Sequence, residues 1–571
     1  MTSRSDNPRS RPRHFDVLVI GAGFAGLYLL HRLRGAGFSA RVLDKAADVG
    51  GTWYWNRYPG ARCDVESMQY AYSFCPELEQ EWVWTEKYAT QPEILRYANH
   101  VAERFDLRRD IQFNTTVSSA VYDADRLLWV IGTDNGEQIS ANFCVMATGC
   151  LSTTNTPDFK GLDSFAGPVY HTGEWPQDEL DFIGQTVGVI GTGASAIQSI
   201  PIIAEQAKHL YVFQRTPHYS VPAWNRPLAS EPGTQHSDRK AYGYDADLTI
   251  EEIKADYAGL RQRARKMLNA LAFIPNRQAA LEVSDDERQV EYQAWWERGG
   301  VPFLGAYTDL LKSRESNETA AEFVRQKIRQ TVKDPVVAEA LVPTYTIGCK
   351  RLAVDSGYYE TYNRSNVTLV DISESPIERI IPAGIRALDQ EYTLDALIMA
   401  TGFDAMTGTL MKIDIRGRRG LSLSDKWAVG PRSYLGLGMA DFPNLFTITG
   451  PGSPSVLTNM LQSIEQHVDW IVDCLNHLRV NEITEIEATQ SAEDAWVVHN
   501  DEVADDHIRI SCSSWYIGAN IEGKPRVFMP YVGGFPRYVD KCNEIAANGY
   551  SGFTLSSNSP CNPDAGLAEN E

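Results

Sequence analysis

The stretch Phe15 to Leu33 reads FDVLVIGAGFAGLYLLHRL. Its first six residues form a short apolar run, its last seven carry a helical apolar pattern, and Gly21, Gly23 and Gly26 stand between them. This order predicts a strand, a tight turn and a helix, the setting in which GxGxxG holds the pyrophosphate of a dinucleotide. Gly21 permits the turn, Gly23 lets a phosphate reach the backbone, and Gly26 allows close helix packing. The phosphate then faces the free N–H groups and positive end of the helix. A second strand, Ala40 to Leu43, ends at Asp44. This acid is placed to accept bonds from ribose hydroxyls and repels a 2'-phosphate, so the unit should prefer the plain adenosine ribose of FAD or NAD.

The pattern recurs at Thr186 to Ile190 (TVGVI), followed by Gly191, Thr192, Gly193, Ala194, Ser195 and Ala196. Ala196 replaces the third glycine and is small enough for the same packing role. The next strand, Leu210 to Phe213, leads to Arg215 and Thr216, so a base stands near the position that Asp44 holds in the first unit. Arginine pairs in a fork with a 2'-phosphate, which marks the second unit as NADP-binding. The expected fold is α/β: two Rossmann-like dinucleotide-binding domains, one for FAD and one for NADP, with a helical insert in the NADP domain.

Phe143 to Met146 runs into Ala147, Thr148 and Gly149, and Leu394 to Met399 runs into Ala400, Thr401 and Gly402. Two apolar runs meeting small-residue turns suggest that the second unit is inserted into the first. The expected division is a basic arm at 1–14, FAD segments at 15–150 and 393–555, and NADP segments at 151–223 and 337–392. The helical insert takes 224–336, and a loose tail takes 556–571. Within the insert, Thr249 with Glu252 and Ser284 with Glu287 form capping boxes, the second ahead of Trp295 and Trp296. Helical patterning continues through 318–331 and 336–341.

A chain of 571 residues, 43% hydrophobic and 22% charged, suits two to four packed globular units. No run approaches the roughly 20 apolar residues that cross a bilayer. A net charge of -21 disfavours nonspecific binding to nucleic acid or to an acidic membrane surface. The nine cysteines show no CxxC pair and no metal-ligand spacing, and their odd number argues against a disulfide framework. No metal, a reducing cytoplasm and a monomer, at most a weak homodimer, are expected.

Sites for FAD and NADPH together permit disulfide reduction, dehydrogenation or oxygen activation. No cysteine pair suits a flavin disulfide reductase: Cys63 and Cys75 are far apart, and Cys144 and Cys150 flank a strand and its turn. Between the two fingerprints, Phe165 to Pro176 (FAGPVYHTGEWP) matches FxGxxxHxxxWP, the signature of type I Baeyer–Villiger monooxygenases. The match continues at Gly50 to Trp53, Arg62 to Ser67, Lys350 and Arg351, and Ser514 to Asn520 (SWYIGAN). The chain resembles that family over nearly its whole length, most of all the phenylacetone and steroid monooxygenase branch.

The resemblance implies that NADPH reduces FAD, that oxygen adds at flavin C4a, and that the peroxide attacks a ketone carbonyl to give an ester or lactone. It implies Arg351 as the catalytic cation and Asp64 as its partner. Gly51, Thr52 and Trp53 would meet FAD; Lys350 would join Arg215 and Thr216 at the 2'-phosphate, and Trp515 would contact the nicotinamide nucleotide. Phe165, Gly167, His171, Trp175 and Pro176 would form a hinge, with His171 holding the linker instead of moving protons. The loop Gly450 to Asn459 (GPGSPSVLTN) and Met460 resemble a substrate wall, with Ser455, Val456, Leu457 and Met460 facing a cyclic, aryl or steroidal ketone. The alternative is a flavin monooxygenase that oxidises nitrogen or sulfur.

Overall fold

The computed structural model describes residues 13–228 and 250–557. The chain folds around two sheets. The first is built on β1 (Arg13–Ile20), β2 (Ala40–Leu43), β3 (Ile111–Gln112), β4 (Val117–Asp123), β5 (Leu128–Thr133) and β6 (Gln138–Met146). Its strands run in the order Asp414–Arg416, β4, β5, β6, β1, β2, β3, with Leu445–Thr447 also pairing β6. β1 lies parallel to both β2 and β6. The helix Phe24–Gly35 supplies the crossover that two parallel neighbours require. This helix packs on the long helix Met460–Val480, so residues more than 400 apart share one core.

The second sheet is parallel throughout. It orders Val367–Asp371, β9 (His209–Gln214), β8 (Thr186–Ile190), Ala396–Met399 and β7 (Val169–His171). The helix Ala194–Gln206 crosses from β8 to β9. Val187, Val189, Ile197 and Ile200 are fully buried and share a core with Phe303 and Phe323 of the helical insert. In the insert, Ser284 and Glu287 make the expected reciprocal cap of the helix Asp285–Arg298. Trp295 is buried in the core, in keeping with a packing role. Thr249 of the other proposed cap lies outside the described residues, as do 1–12 of the arm and 558–571 of the tail.

Several boundaries move. β1 starts at Arg13, and Ser556 closes a strand, Phe553–Ser556, paired with Glu485–Ala488. The helix Pro335–Leu341 packs on Arg314–Thr331, extending the insert beyond residue 336. Ala396–Met399 pairs with β8 and β7, so the chain returns to the first sheet at about residue 400, one strand later than expected. An apolar run entering a small-residue turn looks the same in either sheet, and only the pairing separates the cases.

The expectation about cysteines also fails in part. Cys349 and Cys512, 163 residues apart, form a disulfide. No spacing rule marks partners so distant, and an odd total says nothing about a single bridge. Cys63, Cys75, Cys144, Cys150, Cys474 and Cys542 are free. Among the described residues, no helix is long and apolar enough to cross a membrane, and no His, Cys, Asp and Glu side chains cluster as metal ligands.

Candidate active site

Both glycine turns close against the small-residue ends of returning strands. Gly21 has φ +112°, and a Cβ there would lie 2.5 Å from the Ala147 carbonyl oxygen. Gly191 repeats this with φ +116° and a Cβ position 2.4 Å from the Ala400 oxygen. At Gly26 a Cβ would sit 1.8 Å from the Gly21 oxygen, so only glycine fits, whereas Ala196 is fully buried in the equivalent place. Gly23 and Gly193 each cap a crossover helix without a side-chain cap bond, leaving backbone donors facing the cavity. Gly51 (φ +53°) approaches Gly23 so closely that a Cβ would lie 2.8 Å from its Cα. The GGTW loop thus forms the second wall of the first turn. Trp53 is buried there and donates its indole N–H to the Tyr70 hydroxyl at 3.1 Å, while Thr52 is exposed to the cavity.

One continuous cavity of about 1430 Å³ connects the two turns. A site for one drug-sized ligand spans roughly 300–1,000 Å³, so this volume suits two dinucleotides meeting end to end. At its first end, the Asp44 carboxylate accepts from the backbone N–H groups of Ala22 (2.5 Å) and Ala46 (2.7 Å). Burial raises its pKa, and the two amides work against that rise. At the other end lie Arg215, Thr216 and Lys350. Burial, then the charge of Arg215, lower the pKa of Lys350. Neither cation has a carboxylate partner among the described residues, an arrangement that an anion such as a 2'-phosphate relieves. The donor sets fit FAD in the first turn and NADP in the second.

Arg351 stands between them. Its Nε and Nη2 donate to the two Asp64 oxygens at 2.6 and 2.9 Å, and its Nη1 donates to the Val456 carbonyl at 2.6 Å. Burial opposes ionisation of Asp64, but the charge and hydrogen bonds of Arg351 outweigh it and hold the carboxyl below its usual range. Burial likewise opposes the charge of Arg351, and Asp64 more than restores it. The guanidinium is a fixed, permanently charged donor group in a cavity shared by both nucleotide turns. It can stabilise negative charge developing on an oxygen.

The whole-chain comparisons agree with this geometry. A family profile described as pyridine nucleotide-disulphide oxidoreductase matches residues 18–260. A Baeyer-Villiger monooxygenase from Pseudooceanicola batsensis is 42% identical over 555 residues, covering 96% of this chain and 98% of its own length. The chain belongs to the type I Baeyer–Villiger monooxygenase family. The solved structure of oxidized steroid monooxygenase bound to NADP matches with a TM-score of 0.88 and 51% identity, over 95% of this chain and 99% of that one. A phenazine N-monooxygenase from Lysobacter antibioticus is 40% identical over 548 residues, 95% of this chain and 97% of its own length. This Baeyer–Villiger monooxygenase uses FAD and NADP.

The signature segment is the edge of the NADP sheet of this Baeyer–Villiger monooxygenase, since β7 ends in His171. The His171 ring accepts from the Gly173 N–H at 3.0 Å, and its Nε2 meets Thr401 Oγ1 at 3.2 Å. Burial lowers its pKa. It therefore joins the signature to the turn at residue 401. Trp175 is buried against Tyr170 and Phe182, and Pro176 follows it half-buried. A Cβ on Gly167 would lie 2.4 Å from the Asp395 oxygen and 2.9 Å from the Phe165 ring.

The substrate loop departs from expectation. Val456 and Met460 line the cavity, but Ser455 and Leu457 do not. Ser455 is fully buried at φ +42°, with its hydroxyl near Cys150 Sγ (3.1 Å) and donating to the Thr449 carbonyl (3.2 Å), so it holds the loop. Leu457 packs against the core cluster that includes Val456 and Tyr516. Trp515 does line the cavity, and its indole N–H has no partner among the described residues.

The structure adds His218, which no sequence signal singled out. Its Nε2–H donates to the Arg351 carbonyl (3.0 Å), which leaves Nδ1 to accept from the Tyr345 hydroxyl (2.5 Å). Lys350 Nζ lies 4.6 Å from the Tyr345 ring centroid. The proximity of His218 to Arg215 and Thr216 in sequence was the one available hint.

Proposed function

We propose that the chain converts a hydrophobic ketone, cyclic, aryl or steroidal, to an ester or lactone with NADPH and dioxygen, with Arg351 as its catalytic cation. The bidentate Asp64–Arg351 pair in the cavity between the two glycine turns carries this reading. Bound FAD supplies hydride acceptance and activation of dioxygen. Gly21, Gly23, Gly26 and Asp44 hold its pyrophosphate and ribose, with Gly51, Thr52 and Trp53 as the opposing wall. Gly191, Gly193 and Ala196 shape the NADP turn, while Arg215, Thr216 and Lys350 take the 2'-phosphate. Trp515, which lines the cavity, would contact the nicotinamide nucleotide.

Asp64 aims the guanidinium, and Arg351 stabilises the negative charge that develops on the former carbonyl oxygen. Val456 and Met460 give the ketone an apolar wall and exclude water. Phe165, Gly167, His171, Trp175 and Pro176 keep the NADP sheet in register with the crossing segments, so their replacement slows turnover without removing a proton carrier. We propose a monomer in the cytoplasm, where cellular thiols would meet the Cys349–Cys512 bridge and could open it.

A second reading, oxygen transfer to nitrogen or sulfur, is favoured by the 40% identity to the phenazine enzyme. The test is to incubate the FAD-loaded protein with NADPH, oxygen and a panel of ketones, sulfides and amines, following product mass and NADPH together. Esters or lactones from hydrophobic ketones are expected. Efficient oxidation of amines or sulfides with no ester from any ketone would select the second reading.

A further inference from the structure

We infer that the Cys349–Cys512 disulfide is a reducible cross-link that holds the Arg351 loop against the Trp515 loop, and that opening it uncouples NADPH oxidation from ketone oxidation. The inference rests on the placement of Arg351 and Trp515 in the active site. Cys349 is fully buried and directly precedes Lys350 and Arg351, while the half-buried Cys512 stands three residues before Trp515. Each loop has anchors of its own beside contacts that reach across: Arg351 binds Asp64 and the Val456 carbonyl, and the Ile508 N–H donates to the Leu311 carbonyl of the insert at 3.1 Å. Asn317 of the insert holds both the N–H and the carbonyl of Ile347 (3.1 and 2.8 Å), and His218 holds the Arg351 carbonyl. On the other side, Asn520 donates to the Phe403 carbonyl at 2.7 Å. Lys524 Nζ meets Asp404 at 2.5 Å, and the Tyr516 carbonyl accepts from the Met529 N–H at 2.9 Å.

Charge opposes the junction that the bridge closes. Arg509, three residues before Cys512, has no carboxylate partner among the described residues, and its pKa is lowered by burial and by the charge of Arg351. His507 is pushed down to about 3 by burial and by Arg509 and Lys312. The bridge is a covalent tie between these loops, and it holds Arg509 near Arg351 against their like charge. Cys512 is the half-buried residue of the pair, so a small dithiol approaches from its side. A thiolate of the reductant bonds to Cys512 Sγ as the S–S bond breaks, and Cys349 leaves with the electron pair and takes a proton. The second thiol of the reductant then displaces Cys512, which takes the second proton, and the reductant departs as its own disulfide.

The first experiment is mass spectrometry of full-length holoenzyme alkylated in denaturant, with and without prior dithiothreitol. Two cysteines should resist alkylation until reduced. Alkylation of all nine without reduction would overturn the proposal. The second compares oxidised enzyme, dithiothreitol-treated enzyme and Cys512→Ser for ester formed and hydrogen peroxide released per NADPH. Ester per NADPH should fall by about tenfold in both altered forms, within the range that small misplacements of reacting groups cost. Dithiothreitol should add nothing to Cys512→Ser, and FAD absorbance should confirm that the variant is folded.

Limited trypsin digestion supplies a readout independent of turnover: opening the bridge should speed cleavage after Arg509 and Arg526. An open bridge with unchanged coupling and unchanged cleavage refutes the inference. If the oxidised enzyme forms no ester but cleavage still depends on reduction, the functional reading has failed and the cross-link stands.

Discussion

Asp64→Asn isolates the part of catalysis that depends on aiming Arg351. In the native pair both carboxylate oxygens accept from Arg351, at 2.6 and 2.9 Å. Asparagine keeps one acceptor and turns an NH₂ toward the second donor. The side chains are 30% and 23% exposed, so the 3–5 kcal/mol typical of breaking a fully buried pair overstates the loss. Losing one charge-assisted hydrogen bond costs about 1.5–3 kcal/mol. The Val456 carbonyl still holds Nη1 at 2.6 Å, so the guanidinium tilts but does not leave. At about 1.4 kcal/mol per decade, kcat/KM for the ketone should fall about 10- to 150-fold. The assay quantifies ester under limiting ketone, with FAD content checked by absorbance. A variant with full FAD occupancy and kcat/KM within about twofold of the parent would refute the reasoning.

Three further outcomes are expected. Gly26→Ala should yield protein without bound FAD, because the added Cβ would lie 1.8 Å from the Gly21 oxygen; full flavin absorbance after purification would contradict this. Arg215→Ala should raise KM for NADPH about 10- to 150-fold, the cost of a lost charge-assisted bond, and leave KM for NADH nearly unchanged. His218 has its pKa lowered to about 4 by burial and then by Lys350, against an ordinary value near 6.5. The unfolded chain therefore binds this proton first as pH falls, so the stability is complete above about pH 6.5 and is lost progressively toward pH 4. His218→Gln should flatten the slope of melting temperature against pH in that window, and an unchanged slope would count against the assignment.

What could be read from the sequence was local. The two strand–glycine–helix units and the charge difference between Asp44 and Arg215 are set within some 30 residues each, where turn geometry and ribose chemistry leave few alternatives. Asp64 and Arg351 are 287 residues apart. Resemblance brought them together, since neither motif by itself names its partner. The Val456 carbonyl that steadies Arg351 is a backbone acceptor, invisible to any reading of side chains. Ser455 looked like a wall residue until its positive φ turned the hydroxyl inward, and Ala396–Met399 joined the other sheet because apolar strands carry no label of destination. The Cys349–Cys512 bridge depends wholly on the approach of two loops that no periodicity describes.

The most direct measurement is Arg351→Ala, followed in two half-reactions. Anaerobic mixing with NADPH should bleach the flavin, showing that both nucleotide turns remain assembled. Admission of oxygen and ketone should then give hydrogen peroxide and no ester. Ester formation at the parent rate would show that Arg351 is not the catalytic cation and would contradict the proposed chemistry of this site.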